Sequence, residues 1–180
     1  MALKPKPASY CEYVRLLDKD NVHRIYHDTQ YGFPIKKDHE LFERLILEIN
    51  QAGLSWNTIL NKQKNFQKAF HNFDIKKVAL YKAKDIKRLL SDAGIIRNRL
   101  KIEATIHNAK VILKLQKEHG SFKKWLDKHK TNSKEEWVKL FKKTFHFTGG
   151  EIVGEFLQST CYLPGAHTKG CKIGKRIKVV

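Results

Sequence analysis

Cys11 precedes His27 by sixteen residues, and His167 precedes Cys171 by four. Two thiolates and two imidazoles form a donor set that tetrahedral zinc accepts. The second pair is compact, with Gly170 to relieve the turn; the first is loose. Spacing alone leaves two readings open: one zinc ion tying the two ends of the chain together, or a free thiol near each end beside surface histidines. Between these pairs lies a second candidate, Glu48-Ile-Asn-Gln-Ala-Gly-Leu-Ser-Trp56. Glu48 falls near the inward stripe of an apolar helix, where a carboxylate needs a partner or shifts its pKa. Trp56 follows a Gly-containing turn, and Tyr26 and Tyr31 lie upstream. One acid among flat aromatic rings suits an extruded base, stacked on its faces and hydrogen-bonded at its edge. The same residues also fit core aromatics beside a helix-end acid.

The third candidate is Asp85–Ile106, two amphipathic stretches joined at Ala93-Gly94-Ile95-Ile96. Gly94 allows positive φ where the first helix ends. The amides at the start of the second helix can bind phosphate. Arg97, Arg99 and Lys101 add charge, and Ile95 and Ile96 anchor the turn. This is the logic of a helix–hairpin–helix that grips a DNA backbone without reading sequence; an ordinary helical corner would read the same locally.

Helices must position all three. Apolar residues recur at helical spacing at Leu41, Phe42, Leu45, Ile46 and Ile49, with Asp38 as the expected cap, and again from Ile59 to Phe73 after Ser55. Shorter helices are expected after Asp74 and over 83–92, a long one over about 98–118, then 121–129, 133–144 and 150–160. Gly149-Gly150 and Pro164-Gly165 bracket the last. No strand-like alternation appears, so the fold class is all-α. Residues 1–10 read as a flexible basic arm, 11–171 as the domain and 172–180 as a basic tail.

The 180 residues are 41% hydrophobic, enough for a packed interior. Lys plus Arg number 36 against 18 acids, a net charge of +18, which favours a polyanionic partner, nucleic acid before an anionic membrane. No apolar run approaches membrane-spanning length. The Lys/Pro-rich start is not a secretory signal. Three cysteines do not make a disulfide framework, so a cytoplasmic setting is expected. Cys161 reads as a buried small hydrophobe.

Taken in order, Tyr26-His27-Asp28, Tyr31-Gly32-Phe33-Pro34, Leu41-Phe42-Glu43, Leu47-Glu48, Gln51-Ala-Gly-Leu-Ser-Trp56, Asp92-Ala-Gly-Ile-Ile-Arg97 with Lys101, and His167-x3-Cys171 resemble the DNA-3-methyladenine glycosylase I family of the helix–hairpin–helix superfamily. The resemblance implies a compact, two-lobed, all-α helix–hairpin–helix DNA glycosylase fold with a zinc clamp joining the termini. The structural zinc would be held by Cys11, His27, His167 and Cys171. It implies a monofunctional glycosylase that hydrolyses the N-glycosidic bond of 3-methyladenine in alkylated duplex DNA, acting as a monomer. Glu48, Tyr26 and Trp56 would receive the flipped base, with Tyr13 and Tyr31 around them. Gly53-Leu54 would lie at the gap it leaves, and Gly94, Ile95, Ile96, Arg97 and Lys101 would hold the backbone. A cationic base is already a good leaving group, so few catalytic groups are needed. Tyr13 and Tyr31 stand where the family often has Trp. Glu151, in Phe147-Thr-Gly-Gly-Glu151, has two readings: facing the DNA sugar to assist cleavage, or sitting in a first helical turn favoured by the dipole. A non-catalytic DNA-binding or damage-sensing module with the same clamp and hairpin is the alternative.

Overall fold

A computed structural model describes residues 7–177, and among them no strand forms. The chain divides into two compact units. One comprises the chain up to Pro34 and from Leu157 onward; the other is Ile35–Phe156.

The first unit contains α1 (Tyr10–Arg15), α2 (Val22–Thr29) and a C-terminal segment ending in a short 3-10 turn at Gly174–Arg176. Ser9 caps α1 by accepting from the Glu12 amide, and Asn21 caps α2 through His23. The basic arm expected over 1–10 therefore stops at Ser9, and its first six residues lie outside the described ones. So do the last three of the expected tail.

The larger unit runs α3 (Asp38–Gln51), α4 (Trp56–Ala69), α5 (Ile75–Ala79), α6 (Ala83–Ser91), α7 (Arg99–His119), α8 (Phe122–Lys128), α9 (Lys134–Thr144) and α10 (Gly150–Ser159), which passes into the first unit at its end. The apolar stripes of α3 and α7 are buried as their spacing requires. Phe66, Phe70 and Phe73 stack in sequence at 6.2 and 5.7 Å between centroids. Trp125, Trp137, Phe141 and Phe145 form a second aromatic core. Glu43 of α3 accepts from Gln63 and Gln67 of α4 at 2.8 Å each, fixing the two helices side by side.

Two local expectations are corrected. Asp38 does not cap its own helix; it is the first residue of α3, and its carboxylate accepts from the Phe122 and Lys123 amides at 2.8 and 2.9 Å, capping α8 instead. Gln116 of α7 donates to the same carboxylate at 2.6 Å. Gly94 does not take positive φ. A side chain there would be crowded, since a Cβ would lie 2.9 Å from Asp92 Oδ1 and 3.2 Å from Asn65 Cβ. No helix among the described residues is long and apolar enough to cross a membrane.

Candidate functional site

In the first unit the ligand atoms of Cys11, His27, His167 and Cys171 all lie within 4.8 Å of one another. Cys11 Sγ is 3.4 Å from His27 Nε2 and 3.7 Å from His167 Nδ1; Cys171 Sγ is 3.7 and 3.5 Å from the same atoms. Ligand bonds of ~2.3 Å to sulfur and ~2.0–2.1 Å to nitrogen in a tetrahedron put each N···S edge at about 3.5 Å. All four measured edges match that spacing. The outer nitrogens are also committed: His27 Nδ1 lies 2.7 Å from Asp28 Oδ1, and His167 Nε2 lies 2.8 Å from the Tyr31 carbonyl. Each acceptor places the ring proton on the outer nitrogen and leaves the inner lone pair for a metal. Arg24 donates to Asp28 at 2.9 Å. Burial works against the Asp28 carboxylate, but its hydrogen bonds from His27 and Arg24 outweigh it and hold its pKa low. The Thr168 amide donates to Cys11 Sγ. The set can hold a metal ion.

Two glycines make room for His167. At Gly32, with φ +73°, a Cβ would meet Ala166 Cβ at 2.7 Å and His167 Nε2 at 3.0 Å; at Gly174 it would meet His167 Cβ at 2.7 Å. Beside this centre is a cavity of about 430 Å³ lined by Gly32, Cys161, Tyr162, Ala166, His167 and Lys175 among others. Cys161, expected to be buried, is half-buried on its wall. The tyrosines cluster here as well. Tyr26 is buried 5.7 Å from Tyr31, and Tyr10 lies edge-on to Tyr31 at 5.3 Å and stacks with the exposed Tyr13 at 6.2 Å. The Tyr31 ring is 5.8 Å from His167.

In the larger unit Glu48 is 4% exposed, near the end of α3. Burial pushes its pKa up to about 8; Arg44, one turn earlier, opposes the shift and Glu155 of α10 adds to it. At neutral pH the carboxyl is mostly protonated. Glu155 keeps an exposed side chain, yet its pKa is raised as well, by partial desolvation of its carboxyl and by the nearby charge of Glu151. Glu151 is exposed in the first turn of α10, the position that the helix dipole favours. Trp56 is half-buried at the start of α4, capped by Ser55. The intervening turn has Gly53 at φ +81° and an exposed Leu54.

At the hairpin, Ile95 is buried, and Arg97 and Arg99 are exposed. Asp92 accepts from the Gly94 amide at 2.7 Å, and Lys62 and Asn65 of α4 donate to the Ala93 and Gly94 carbonyls. Asn98 caps α7 by accepting from the Lys101 amide. Lys101, grouped by sequence with the backbone-gripping residues, points inward instead. It is 5% exposed, and its Nζ donates to the carbonyls of Asn50 at 2.9 Å and Ala52 at 2.6 Å. Burial lowers its pKa.

A family model described as methyladenine glycosylase matches residues 16–174. The chain belongs to the methyladenine glycosylase family. It is 36% identical over 174 residues to the DNA-3-methyladenine glycosylase 1 of Escherichia coli (strain K12), covering 86% of this chain and 92% of that relative. Among solved structures it is similar to a variant of 3-methyladenine DNA glycosylase I in complex with 3-methyladenine, with a TM-score of 0.80 and 32% identity over 87% of this chain and 94% of the other. It is similar also to the enzyme of Staphylococcus aureus solved for 3-methyladenine recognition, with a TM-score of 0.79 and 33% identity over 87% and 93%. Several residues around the sites of this methyladenine glycosylase were not singled out from sequence. Arg44 had a signal, the i, i+4 spacing to Glu48 on one helix. Arg24 had the same spacing to Asp28. Glu155 and Tyr10 had none, because they meet their partners only through folding.

Proposed function

We propose that this protein is a monofunctional DNA glycosylase that hydrolyses the N-glycosidic bond of 3-methyladenine in alkylated duplex DNA, working in the cytoplasm as a monomer. The observation that carries the reading is Glu48: a buried, largely protonated carboxyl at the end of α3, in a chain whose relatives are named for this reaction. A normal adenine is neutral and gives Glu48 no reason to ionise. A 3-methylated adenine in DNA is cationic, and its charge favours the carboxylate, which then reads the base edge by a charge-assisted hydrogen bond. Tyr26 and Trp56 are assigned to the faces of the base, with Tyr13 and Tyr31 around them; rings also favour the base's positive charge. The glycosidic bond of a cationic base is weak and the neutral base leaves readily, so water captures an oxocarbenium-like sugar without a strong nucleophile. Gly53-Leu54 is assigned to the gap left in the duplex. Gly94, Ile95, Ile96 and Arg97 are assigned to the DNA backbone, with Lys101 holding the turn from within. Glu151 is assigned to the dipole of α10, and single-turnover rates of Glu151→Gln equal to wild type would support that assignment.

Zinc is the metal assigned to Cys11, His27, His167 and Cys171. Four protein ligands complete a tetrahedron and leave no position for a reacting water, so its role is structural.

The test is base release from methylated duplex, resolved by chromatography, with metal content measured on the same preparation. Wild type should release 3-methyladenine. Glu48→Gln should keep its affinity for duplex and lose roughly 10–100-fold in single-turnover rate, the worth of a hydrogen bond to a charged group. A wild-type protein that binds duplex but never releases a base would make it a DNA-binding module instead.

A further inference from the structure

Phe147 is held out to solvent by a loop pinned on both sides of it. The buried side chain of Asn108 on α7 accepts from the His146 amide at 2.8 Å and donates to the His146 carbonyl at 3.1 Å. Thr148 is buried, with its hydroxyl within donating distance of the Phe141 and Phe145 carbonyls, at 3.1 and 3.2 Å. Between these anchors Phe147 takes a φ of 61°, in the left-handed region that a bulky residue rarely adopts. Its ring stays 40% exposed. Such strain persists only where the surroundings impose it, and it collects at functional sites.

Lys101 supplies the second observation. Its ammonium lies 5.8 Å from the centroid of the Phe147 ring. The same group donates to Asn50 and Ala52, the carbonyls that lead into the Gly53-Leu54 turn. One buried cation therefore ties the Phe147 loop to the Leu54 turn, and Leu54 is also 40% exposed. Arg97 and Arg99, exposed at the start of the helix that carries Lys101, add positive charge. Two apolar side chains share one rigid anchor, in a chain with a net charge of +18.

We propose that Phe147 is a second wedge residue. It stacks on a base bordering the gap left by the extruded nucleotide, while Leu54 occupies the gap and Lys101 sets the spacing between them. The inference rests on the glycosylase reading and deepens it. Extrusion strips neighbouring bases of a stacking partner, and inserted apolar side chains restore it. An aromatic ring does so for any base, because every base has a π-face.

The probe is a duplex with an abasic-site analogue and 2-aminopurine in the opposite strand at that position. Undamaged duplex and the matching single strand serve as controls. Phe147→Ala should bind the abasic duplex about 10-fold more weakly or worse, with a smaller loss on undamaged duplex. Wild type should change the 2-aminopurine fluorescence through ring stacking, and Phe147→Ala should not. Phe147→Tyr should restore both affinity and signal. If Phe147→Ala fails to fold, Phe147→Leu keeps apolar bulk without a π-face and should lose the signal. Wild-type affinity and signal in the folded Ala or Leu variant, or an equal loss on all three DNAs, would overturn the proposal. Base release by wild type is measured in parallel. If it is absent the glycosylase reading falls, and the wedge is still decided by the abasic-duplex arms.

Discussion

Replacing Glu48 by Gln isolates the energy stored in one buried carboxyl. Burial raises its pKa from an ordinary 4.5 to about 8. Between those values the folded protein keeps a proton that the unfolded chain has released, so stability falls as pH rises and levels off above the folded value. The two pKa values place the loss at roughly 1 kcal/mol at pH 5 and roughly 3 kcal/mol at pH 7. Gln carries no charge to desolvate and does not titrate. The variant should therefore be more stable than wild type at neutral pH, and its advantage should grow by roughly 2 kcal/mol between pH 5 and pH 7. For a chain of this size that widens the gap in thermal midpoint by about 4–8 °C. The assay is thermal or urea unfolding of both proteins at pH 5, 6, 7 and 8. Any protonation of the clamp ligands at low pH is common to both and cancels in the difference. A gap that stays constant with pH, or that closes as pH rises, refutes the reasoning. It would mean that Glu48 is already ionised in the folded state and paired with Arg44. Stability should rise in the variant that loses base release, a pairing expected of a carboxyl kept buried for function rather than for folding.

Four further outcomes follow from the geometry. Chelator should strip one metal ion per chain and lower the thermal midpoint, and Cys171→Ser should reproduce this; a midpoint unmoved by chelator counts against the clamp. Gly32→Ala should cost roughly 2–4 kcal/mol in unfolding experiments and weaken metal binding, because its Cβ would press on Ala166 and His167. Gly53→Ala, at similar φ but with nothing within 4 Å, should cost less; equal costs would remove crowding as the cause. Lys101→Met should destabilise by roughly 2–4 kcal/mol, leaving the Asn50 and Ala52 carbonyls without their donor, yet leave the salt dependence of DNA binding unchanged. Arg97→Ala should reduce that slope by about 1.

Lys101 shows where sequence reading reaches its limit. Its charge and its place beside the hairpin suggested a phosphate contact, but the spacing already argued otherwise. It lies four residues before Thr105 and eight before Ala109, both buried on the inward stripe of α7. Periodicity was the better guide, because a helix fixes which face a residue occupies whatever its charge. The helix boundaries, the Ser55 cap, the metal-capable set and the buried Glu48 were legible for the same reason, each resting on local spacing or donor chemistry. Asp38 was not. A carboxylate at a helix start can cap its own helix or a neighbour's, and only packing brings the amides of Phe122 and Lys123 within its reach. Nor were the consecutive left-handed residues His71, Asn72 and Phe73, with φ of 52°, 52° and 54°. None is a glycine, and the full burial of Phe73 is what accompanies that turn.

The charge distribution separates two tasks that a strongly basic protein must reconcile. Surface lysines and arginines attract any polyanion and distinguish no base from another. A cationic base needs the opposite environment, yet an exposed carboxylate would repel phosphate and weaken the grip on DNA. Burying Glu48 resolves the conflict on the glycosylase reading. While protonated it repels nothing, and its ionisation is reserved for a base that brings a positive charge. Ionising Glu48 costs roughly 1–2 kcal/mol at pH 7 for a pKa near 8; a cationic base offsets that cost by its attraction to the carboxylate, and a neutral base has no charge with which to do so. Raising the pH toward 8 lowers the cost that the cationic base must offset, so discrimination between alkylated and normal adenine by wild type should strengthen there. In Glu48→Gln it should be smaller and independent of pH. Equal pH profiles in the two proteins, measured as relative release of the two bases, would place the selectivity elsewhere.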